Sequence, residues 1–367
     1  MERSERPPVL AVASLLATAV LLITGCGNSG DPSEPATRTT KAVDAPEGRI
    51  VFRRFLDDDE TTAALFTSRP DGSAERQITH PDAGVIDDEP DWAPDGSRIV
   101  FSRAVVAGTS EAHGLFTVAP DGTGLTALSA NVPGDGEKFL PGWDVTPAFS
   151  PDGQHVAFTY LHGTVATGGT HGIPEGSDQI QYSDIAVMDV DGSHRRLVTR
   201  WPTYEGDSGG VAWSPDGSQL VYGRFNSAVG KPAGCLSLYL VLSSASGQNG
   251  RRLTPCSLGA GGTPDWSSSG LIVFRAVRDE ESGIGNFFTI SSKGGEPHQV
   301  TRLQETVISH QVSFSPDGKR IVFAKAVDGR ANDLFTIALD GSDERRVTSS
   351  DRSDSSPAWG PTERQRS

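Results

Sequence analysis

Acidic side chains recur in this 367-residue sequence a few residues before a repeated aromatic residue. The polar residues at these places are Asp87, Asp88, Glu89, Asp144, Asp207, His310, Gln311 and Asp354. Oxygen ligands gathered at one site can hold Ca²⁺, and the same carboxylates attract a basic peptide or an amine. Two carboxylates, with His310, would supply the acid and base of a lyase or hydrolase. The other interpretation is that these residues cap strand ends and face water, and the sequence leaves the identity of any metal open.

A second group of candidate binding residues is aromatic and falls in the long segments between the repeated motifs. Its members are Trp143, Tyr160, Trp201 and Tyr204. Exposed rings of this kind stack on sugars or anchor a protein partner, and the alternative is that they pack the loops onto the domain. His162 and His171 lie nearby, but two histidines without a third ligand at a fitting spacing are weak evidence for zinc.

The segment Gly206-Asp207-Ser208-Gly209-Gly210 matches the Gly-x-Ser-x-Gly pattern of serine nucleophiles. That pattern indicates catalysis only in its own structural context. Here it runs directly into a predicted strand, and the accompanying protease pattern around a His and an Asp is absent. We therefore expect no nucleophilic chemistry from Ser208.

These candidates lie on a repeat whose centre is Ser150-Pro151-Asp152-Gly153. Copies recur every 40 to 60 residues or so, a spacing typical of repeat architectures. Pro presets the second position of a type I turn, Asp bonds the local backbone, and Gly accepts the left-handed conformation. An aromatic residue precedes the turn and an aliphatic-x-aromatic triplet follows it, so each copy predicts an antiparallel hairpin.

A second hairpin follows the first, marked by the Asp-Gly pairs at Asp121-Gly122, Asp191-Gly192 and Asp340-Gly341. Two hairpins make a four-stranded unit that cannot bury both of its faces alone, and radially stacked units form a β-propeller. The first copy lacks its first strand, and Pro357-Ala358-Trp359 supplies one at the end. We predict an all-β, six-bladed, monomeric propeller over residues 49–361, closed by pairing of the C-terminal strand with the N-terminal blade, with a disordered tail at 362–367.

The connections between the predicted strands fall on two faces. Tight turns join first to second and third to fourth strands, so they share one face, which we call the turn face. The longer connections lie on the opposite face, the loop face, and the recurring polar residues would surround the channel mouth there. Loops above a rigid scaffold often carry function, so we expect the binding surface on the loop face.

The N-terminus predicts export. Arg3 and Arg6 precede an apolar run that ends at Cys26, and residues 1–25 have the features of a signal peptide. The segment resembles a bacterial lipoprotein signal, in which this Cys is acylated, for example with palmitate, and becomes the anchor. The polar residues in 26–48 predict a flexible tether. We expect a protein anchored by lipid on the extracytoplasmic side of the cell membrane.

Two further cysteines, Cys235 and Cys256, fall on opposite arms of one predicted hairpin. Antiparallel pairing would bring them face to face, within reach of a disulfide, and an exported location permits oxidation. The alternative is two buried thiols. The net charge of −15 argues against a nucleic-acid partner.

The repeat, Phe-Ser-Pro-Asp-Gly-x-x-Ile-x-Phe followed by Leu-Phe-Thr-Ile-x-x-Asp-Gly, resembles that of the TolB-like, WD-like six-bladed β-propellers. The resemblance covers about Arg49 to Pro361 and implies the fold more strongly than a function. TolB itself carries an α/β domain before its propeller and is not a lipoprotein, so its role in translocation does not carry over.

We expect a non-enzymatic module that holds an envelope protein or peptide through its loop face, with no cofactor required. A binder of a small ligand, carbohydrate or cation such as Ca²⁺ at the channel mouth is the alternative. A lyase or hydrolase is the third hypothesis.

Overall fold

The computed structural model describes residues 48–105, 114–129, 143–162, 182–199, 207–225, 238–277, 284–304, 311–327 and 331–362. These residues form 24 strands, one short 3₁₀ helix (Cys256–Leu258) and no α-helix. The all-β prediction is confirmed. In this part of the chain no helix is long and apolar enough to cross a membrane.

The strands follow one another in a regular pattern of long and very short members. In chain order they are β1 (Ile50–Phe55), β2 (Ala63–Ser68), β3 (Arg76–Gln77), β4 (Val85–Trp92), β5 (Ile99–Val105), β6 (Gly114–Val118), β7 (Thr126–Ala127), β8 (Trp143–Phe149), β9 (His155–His162), β10 (Tyr182–Asp189), β11 (Arg196–Leu197), β12 (Asp207–Trp213), β13 (Gln219–Phe225), β14 (Leu238–Ser244), β15 (Arg251–Arg252), β16 (Ala260–Trp266), β17 (Leu271–Val277), β18 (Gly285–Ser291), β19 (His298–Gln299), β20 (Ser313–Phe314), β21 (Arg320–Ala326), β22 (Asn332–Ala338), β23 (Arg345–Arg346) and β24 (Asp354–Trp359).

Four of the sheets contain four strands each, and one contains eight. The eight-stranded sheet has two halves, β24-β1-β2-β3 and β4-β5-β6-β7, which are joined by a single parallel pair, Ala63 with Ile86. Each half repeats the antiparallel order of the four-stranded sheets. The strands that precede a Pro-Asp-Gly-type turn, together with their counterpart β24, are called first strands below: β4, β8, β12, β16, β20 and β24.

The turns have the predicted chemistry. The Gly217 amide donates to the Ser214 carbonyl over 2.9 Å, and Gly217 has a left-handed φ of 71°. The Asp216 carboxylate accepts from the Ser214 hydroxyl at 2.6 Å and the Ser218 amide at 3.0 Å. Because these bonds favour the charged form, they lower the pKa of Asp216 to about 2.

The core lies between successive sheets. The aromatic residue of the aliphatic-x-aromatic triplet is fully buried in five copies: Phe52, Phe101, Phe158, Phe274 and Phe323. The Phe101 ring belongs to an apolar cluster between the two halves of the eight-stranded sheet. The other four rings belong to clusters shared by two neighbouring sheets. The residues before each ring are buried as well, for example Ile50 and Val51 before Phe52, so both faces of these strands are covered.

The two ends of the chain meet in one sheet. β24 pairs antiparallel with β1, with Ile50 opposite Trp359 and Arg54 opposite Asp354. Behind this pair, Ile50, Phe52 and Trp359 form a cluster with Val322 and Leu334 of the last sheet. The first and last sheets are thus packed against each other like every other neighbouring pair.

Candidate ligand-binding cavity

The first strands carry bulges that redirect the residues after them. In β4 the register shifts between Asp88 and Asp91, and in β8 it shifts between Val145 and Ala148. Glu89 and Thr146 within these bulges have left-handed φ values of 53° and 49°. Such a conformation is uncommon for a residue with a Cβ, and bulges of this kind re-aim side chains.

A cavity of about 370 Å³ lies among all six first strands. Its apolar walls come from Trp92, Trp213, Trp266 and Trp359. Exposed residues at the turns also line it: Pro94, Pro151, Pro215 and Ser268. The cavity therefore opens on the turn face. Its volume is at the lower end of the range typical of ligand sites, enough for a small molecule or part of a peptide.

Two carboxylates line this cavity. Asp91 accepts a hydrogen bond from the Phe149 amide of the next first strand, 2.8 Å away. Asp265 accepts from the Phe314 amide of its own next first strand at 2.7 Å and from the Trp266 amide at 2.7 Å. Each carboxylate therefore ties one first strand to the following one, and each of the two residues as a whole is partly buried.

Burial dominates the electrostatics of both groups. It raises the pKa of Asp91 to about 7, and the negative charge of Asp265 contributes to the same shift. Burial also raises the pKa of Asp265. Desolvation disfavours the charged form of a carboxylate, and a second negative charge adds to this effect. Perturbed acids in a cavity are candidates for a functional site.

Four of the acidic residues predicted as ligands lie elsewhere on the same strands and are held in ion pairs. Arg103 donates to Asp87 at 2.6 and 2.9 Å. Arg195 donates to Asp144 at 2.7 Å through two nitrogens. These pairs are bidentate, a geometry that Arg and carboxylate favour.

Further pairs repeat the pattern. Arg54 holds Asp354, with its Nε 2.6 Å from Oδ1, and Arg53 pairs with Asp88. Glu89 accepts from the Thr146 amide at 2.8 Å. The predicted carboxylates therefore connect neighbouring strands and sheets. Asp87, Asp144 and Asp354 are buried and do not face water as the strand-capping interpretation supposed.

The aromatic candidates are placed differently from expectation. Trp143 begins strand β8 and is buried, with 7% of its surface exposed, so the expected loop position is corrected. Tyr160 lies in β9, where the Arg195 guanidinium covers its ring at 4.5 Å from the centroid. Both rings pack against the sheets because the strands extend further than the motif spacing indicated.

Several predicted residues lie outside the described part of the chain: Cys26, Trp201, Tyr204, Cys235 and His310. The backbone of Asp207 belongs to β12, but its side chain is also outside the described part. The disulfide between Cys235 and Cys256 and the roles of the other residues stay predictions. Among the described residues, no three His, Cys, Asp or Glu side chains gather as a metal ion would need. The Ca²⁺ hypothesis also stays a prediction.

Sequence reasoning missed Asp91 and Asp265, although both lie within copies of the repeat, in Pro90-Asp91-Trp92 and Pro264-Asp265-Trp266. Each directly precedes the repeated Trp, where the other copies have Ala148, Ala212, Ser313 and Ala358. A carboxylate at a position that holds a small residue in the other copies is the signal that would have found the cavity. The sequence does not show that the bulges in β4 and β16 direct these two positions toward the cavity.

The raised pKa of Asp91 makes a testable prediction about stability. An unfolded Asp titrates near pH 3.9, so between about pH 4 and 7 the folded protein binds the proton more tightly than the unfolded chain. The stability contributed by this group is therefore present at low pH and is lost as the pH rises to about 7. Asp91→Asn keeps an acceptor for the Phe149 amide and removes the charge. We expect it to gain about 2–3 kcal/mol more stability at pH 8 than at pH 5.

The check is denaturant unfolding at the two pH values, with Asp216→Asn as the matched control. The pKa of Asp216 lies near 2, so its variant should differ from the wild type by the same amount at both pH values. An Asp91→Asn effect that does not change with pH would show that Asp91 titrates normally.

No family model matches the sequence. Solved structures do share the fold. TolB from Acinetobacter baumannii superposes with a TM-score of 0.59 at 17% identity, over 86% of this chain and 67% of that one. A TolB candidate from Agrobacterium tumefaciens gives 0.51 at 15% identity, over 87% and 99% of the two chains. Kuenenia stuttgartiensis hydrazine synthase gives 0.65 at 12% identity, over 86% of this chain and 47% of that one.

The protein therefore has the fold of a TolB-like β-propeller. Identities this low establish the fold alone. Because one of these similar structures is an enzyme by name, the fold does not decide between binding and catalysis.

Proposed function

We propose that this protein is a lipid-anchored, extracytoplasmic six-bladed propeller that holds a segment of an envelope protein at its central cavity. The single observation that carries the proposal is the cavity itself, which all six first strands line and which opens among exposed turns. The strands that form the fold thus also form the proposed binding site. A protein partner fits because two carboxylates, aromatic walls and a small volume suit a peptide segment rather than a folded domain.

The closed ring is part of the proposal. Six four-stranded units, counting the eight-stranded sheet as two, would each contact the next. Support comes from the pairing of β24 with β1 and from the apolar cluster between the last and first sheets. Closure removes edges that would otherwise invite aggregation, which agrees with a monomeric propeller.

The binding surface proposed here differs from the one expected from the sequence. Much of the loop face lies outside the described residues, so its role stays a prediction. In the described part of the chain, the predicted acidic residues of the loop face are paired with arginines or with backbone amides. The cavity on the turn face is the better supported contact surface.

Site-specific photocrosslinking in the native cell tests the proposal. Ser268 is exposed and lines the cavity, Leu56 is 36% exposed after β1 on the loop face, and Leu125 is 47% exposed near the outer strand β7. We expect a discrete crosslinked protein from the Ser268 probe and none from Leu125. Crosslinks from Leu56 alone would return the function to the loop face, and no crosslinks from any probe would favour a small ligand or an enzyme.

The anchor makes a separate prediction. Cys26→Ser is expected to move the protein from the membrane fraction to the soluble extracytoplasmic fraction, because only the acyl chains would hold it there. Metabolic labelling with an alkyne-bearing palmitate should also be lost. Ser33→Ala, in the predicted tether, leaves all three cysteines in place and is the control; it should keep both label and location. Membrane retention of Cys26→Ser would contradict the anchor.

A further inference from the structure

We propose that the central cavity recognises the cationic side chain of a lysine or arginine presented by a peptide segment. This inference rests on the proposed function and gives the chemistry by which the partner is held.

The first argument is the charge of the cavity. Asp91 and Asp265 line it, and no Lys, Arg or His is among the described residues that do so. Elsewhere on the first strands, Asp144 and Asp354 each face an arginine within 2.7 Å. The fold thus supplies counter-ions for these two buried carboxylates and leaves the two inside the cavity without one from the lining. Buried charges are normally paired, and a bound cation would complete the pairing.

Both carboxylates are fixed by the backbone. The Phe149 amide holds Asp91, and the Phe314 amide with the Ser313 hydroxyl, at 2.7 and 3.1 Å, holds Asp265. Each carboxylate oxygen has two lone pairs, so these contacts leave room for a ligand. Because the donors belong to the strands themselves, the acceptors are positioned before any ligand arrives, which lowers the cost of binding.

The second, independent argument is Gln311. Its side chain lines the cavity and is only 8% exposed. Its Nε2 donates to the Pro90 carbonyl at 2.9 Å, which fixes the amide plane. Its Oε1 is buried and accepts no hydrogen bond from the described residues. A buried acceptor without a donor is costly, and this one lies in the same cavity as two carboxylates. The Gln311 Oε1 and the carboxylates of Asp91 and Asp265 all accept hydrogen bonds, so together they favour a ligand that donates N–H groups.

The walls suit the same ligand. Trp92, Trp213, Trp266 and Trp359 line the cavity, and indole rings attract ammonium and guanidinium groups by cation–π interaction. The methylene stem of a Lys or Arg side chain would bury against the same rings. The raised pKa of Asp91 agrees with a carboxylate that lacks a cation when the cavity is empty.

Calorimetry on the full-length protein in detergent at pH 8 tests the inference with defined probes. The probes are acetyl-Ala-Lys-Ala-amide, the same peptide with its lysine acetylated, n-butylammonium chloride and calcium chloride. We expect the lysine peptide to bind and the acetylated peptide to bind at least about tenfold more weakly, since it lacks the charge. Equal binding of the two peptides, absence of binding by both, or displacement of the lysine peptide by calcium would overturn the inference.

The butylammonium arm identifies the source of the cation. Weaker binding than the lysine peptide supports a peptide ligand. Binding as tight as that of the peptide would keep the cationic site but assign it to a free amine, which would overturn the peptide part of the proposal.

Variants locate the site. Asp91→Asn/Asp265→Asn keeps one acceptor at each position, enough for the amides of Phe149 and Phe314 in the next first strands, although the Trp266 amide loses its acceptor. It should lose about tenfold or more in affinity for the lysine peptide. Asp191→Asn/Asp340→Asn changes the net charge equally at exposed turns and should bind as the wild type does. Unchanged binding by the cavity variant would overturn the inference. A Ser268 crosslink to a partner that persists in the cavity variant would leave the proposed function standing and remove only the cationic recognition.

Discussion

Deleting residues 354–367 is expected to abolish the stable fold. The deletion removes β24, whose residues are all buried. It leaves the backbone N–H and C=O groups of β1 that pair with β24 without partners from that strand. It also removes Trp359 from the cluster that joins the first and last sheets. Loss of one buried Trp side chain alone costs about 3–5 kcal/mol, a large part of the 5–15 kcal/mol typical of a domain.

The matched control is deletion of residues 363–367 only, which leaves β24 in place and should not change the unfolding midpoint. A point variant, Trp359→Ala, should lower the unfolding free energy by about 3–4 kcal/mol and still allow folding. Circular dichroism and denaturant unfolding measure both effects. If the long deletion unfolds at the same denaturant concentration as the full chain, the C-terminal strand does not close the ring.

Arg54→Met is expected to destabilise the protein by about 3 kcal/mol. The guanidinium binds Asp354 through Nε at 2.6 Å and Nη2 at 2.8 Å, and the Asp354 side chain is completely buried. Met keeps an apolar stem over the Phe66 ring, which the guanidinium now covers at 4.7 Å from the centroid. The main loss is therefore the charge partner of a buried carboxylate.

A second substitution separates this explanation from simple loss of packing. Asp354→Leu in the Arg54→Met background removes the buried charge and should recover much of the stability, since apolar replacements of buried ion pairs are often well tolerated. Arg352→Met is the control, because Arg352 pairs with the exposed Asp58 and such pairs contribute little. An Arg54→Met variant as stable as Arg352→Met would show that the β1–β24 pair is not held by this contact.

Much of the fold was predictable because its signals are local. The residue types of Ser214-Pro215-Asp216-Gly217 are enough to predict its turn and the hydrogen bonds that Asp216 accepts. The buried position of Phe158 follows from the apolar triplet Val156-Ala157-Phe158 that comes after the turn. Even the pairing of the two chain ends was visible, because the first copy lacks one strand and the end of the sequence supplies it.

The site was less predictable because it depends on contacts between distant parts of the chain. The sequence shows no partner for Asp144 nearby. Its partner, Arg195, is 51 residues away, and only the fold brings the two together. No residue pattern near Glu89 predicts its left-handed conformation or the bulge that contains it. This bulge sets the direction of Asp91. Gln311 was chosen as a candidate for its place in the repeat, but its contact with Pro90 joins residues 221 positions apart.

The most direct measurement is to identify, by peptide mass spectrometry, which residue of the partner becomes crosslinked to a photoreactive probe at Ser268 in living cells. We predict one protein, crosslinked within a single short segment next to a lysine or arginine. Crosslinks scattered over many proteins, or a single partner captured only from Leu56 on the loop face, would contradict the central cavity as the binding site.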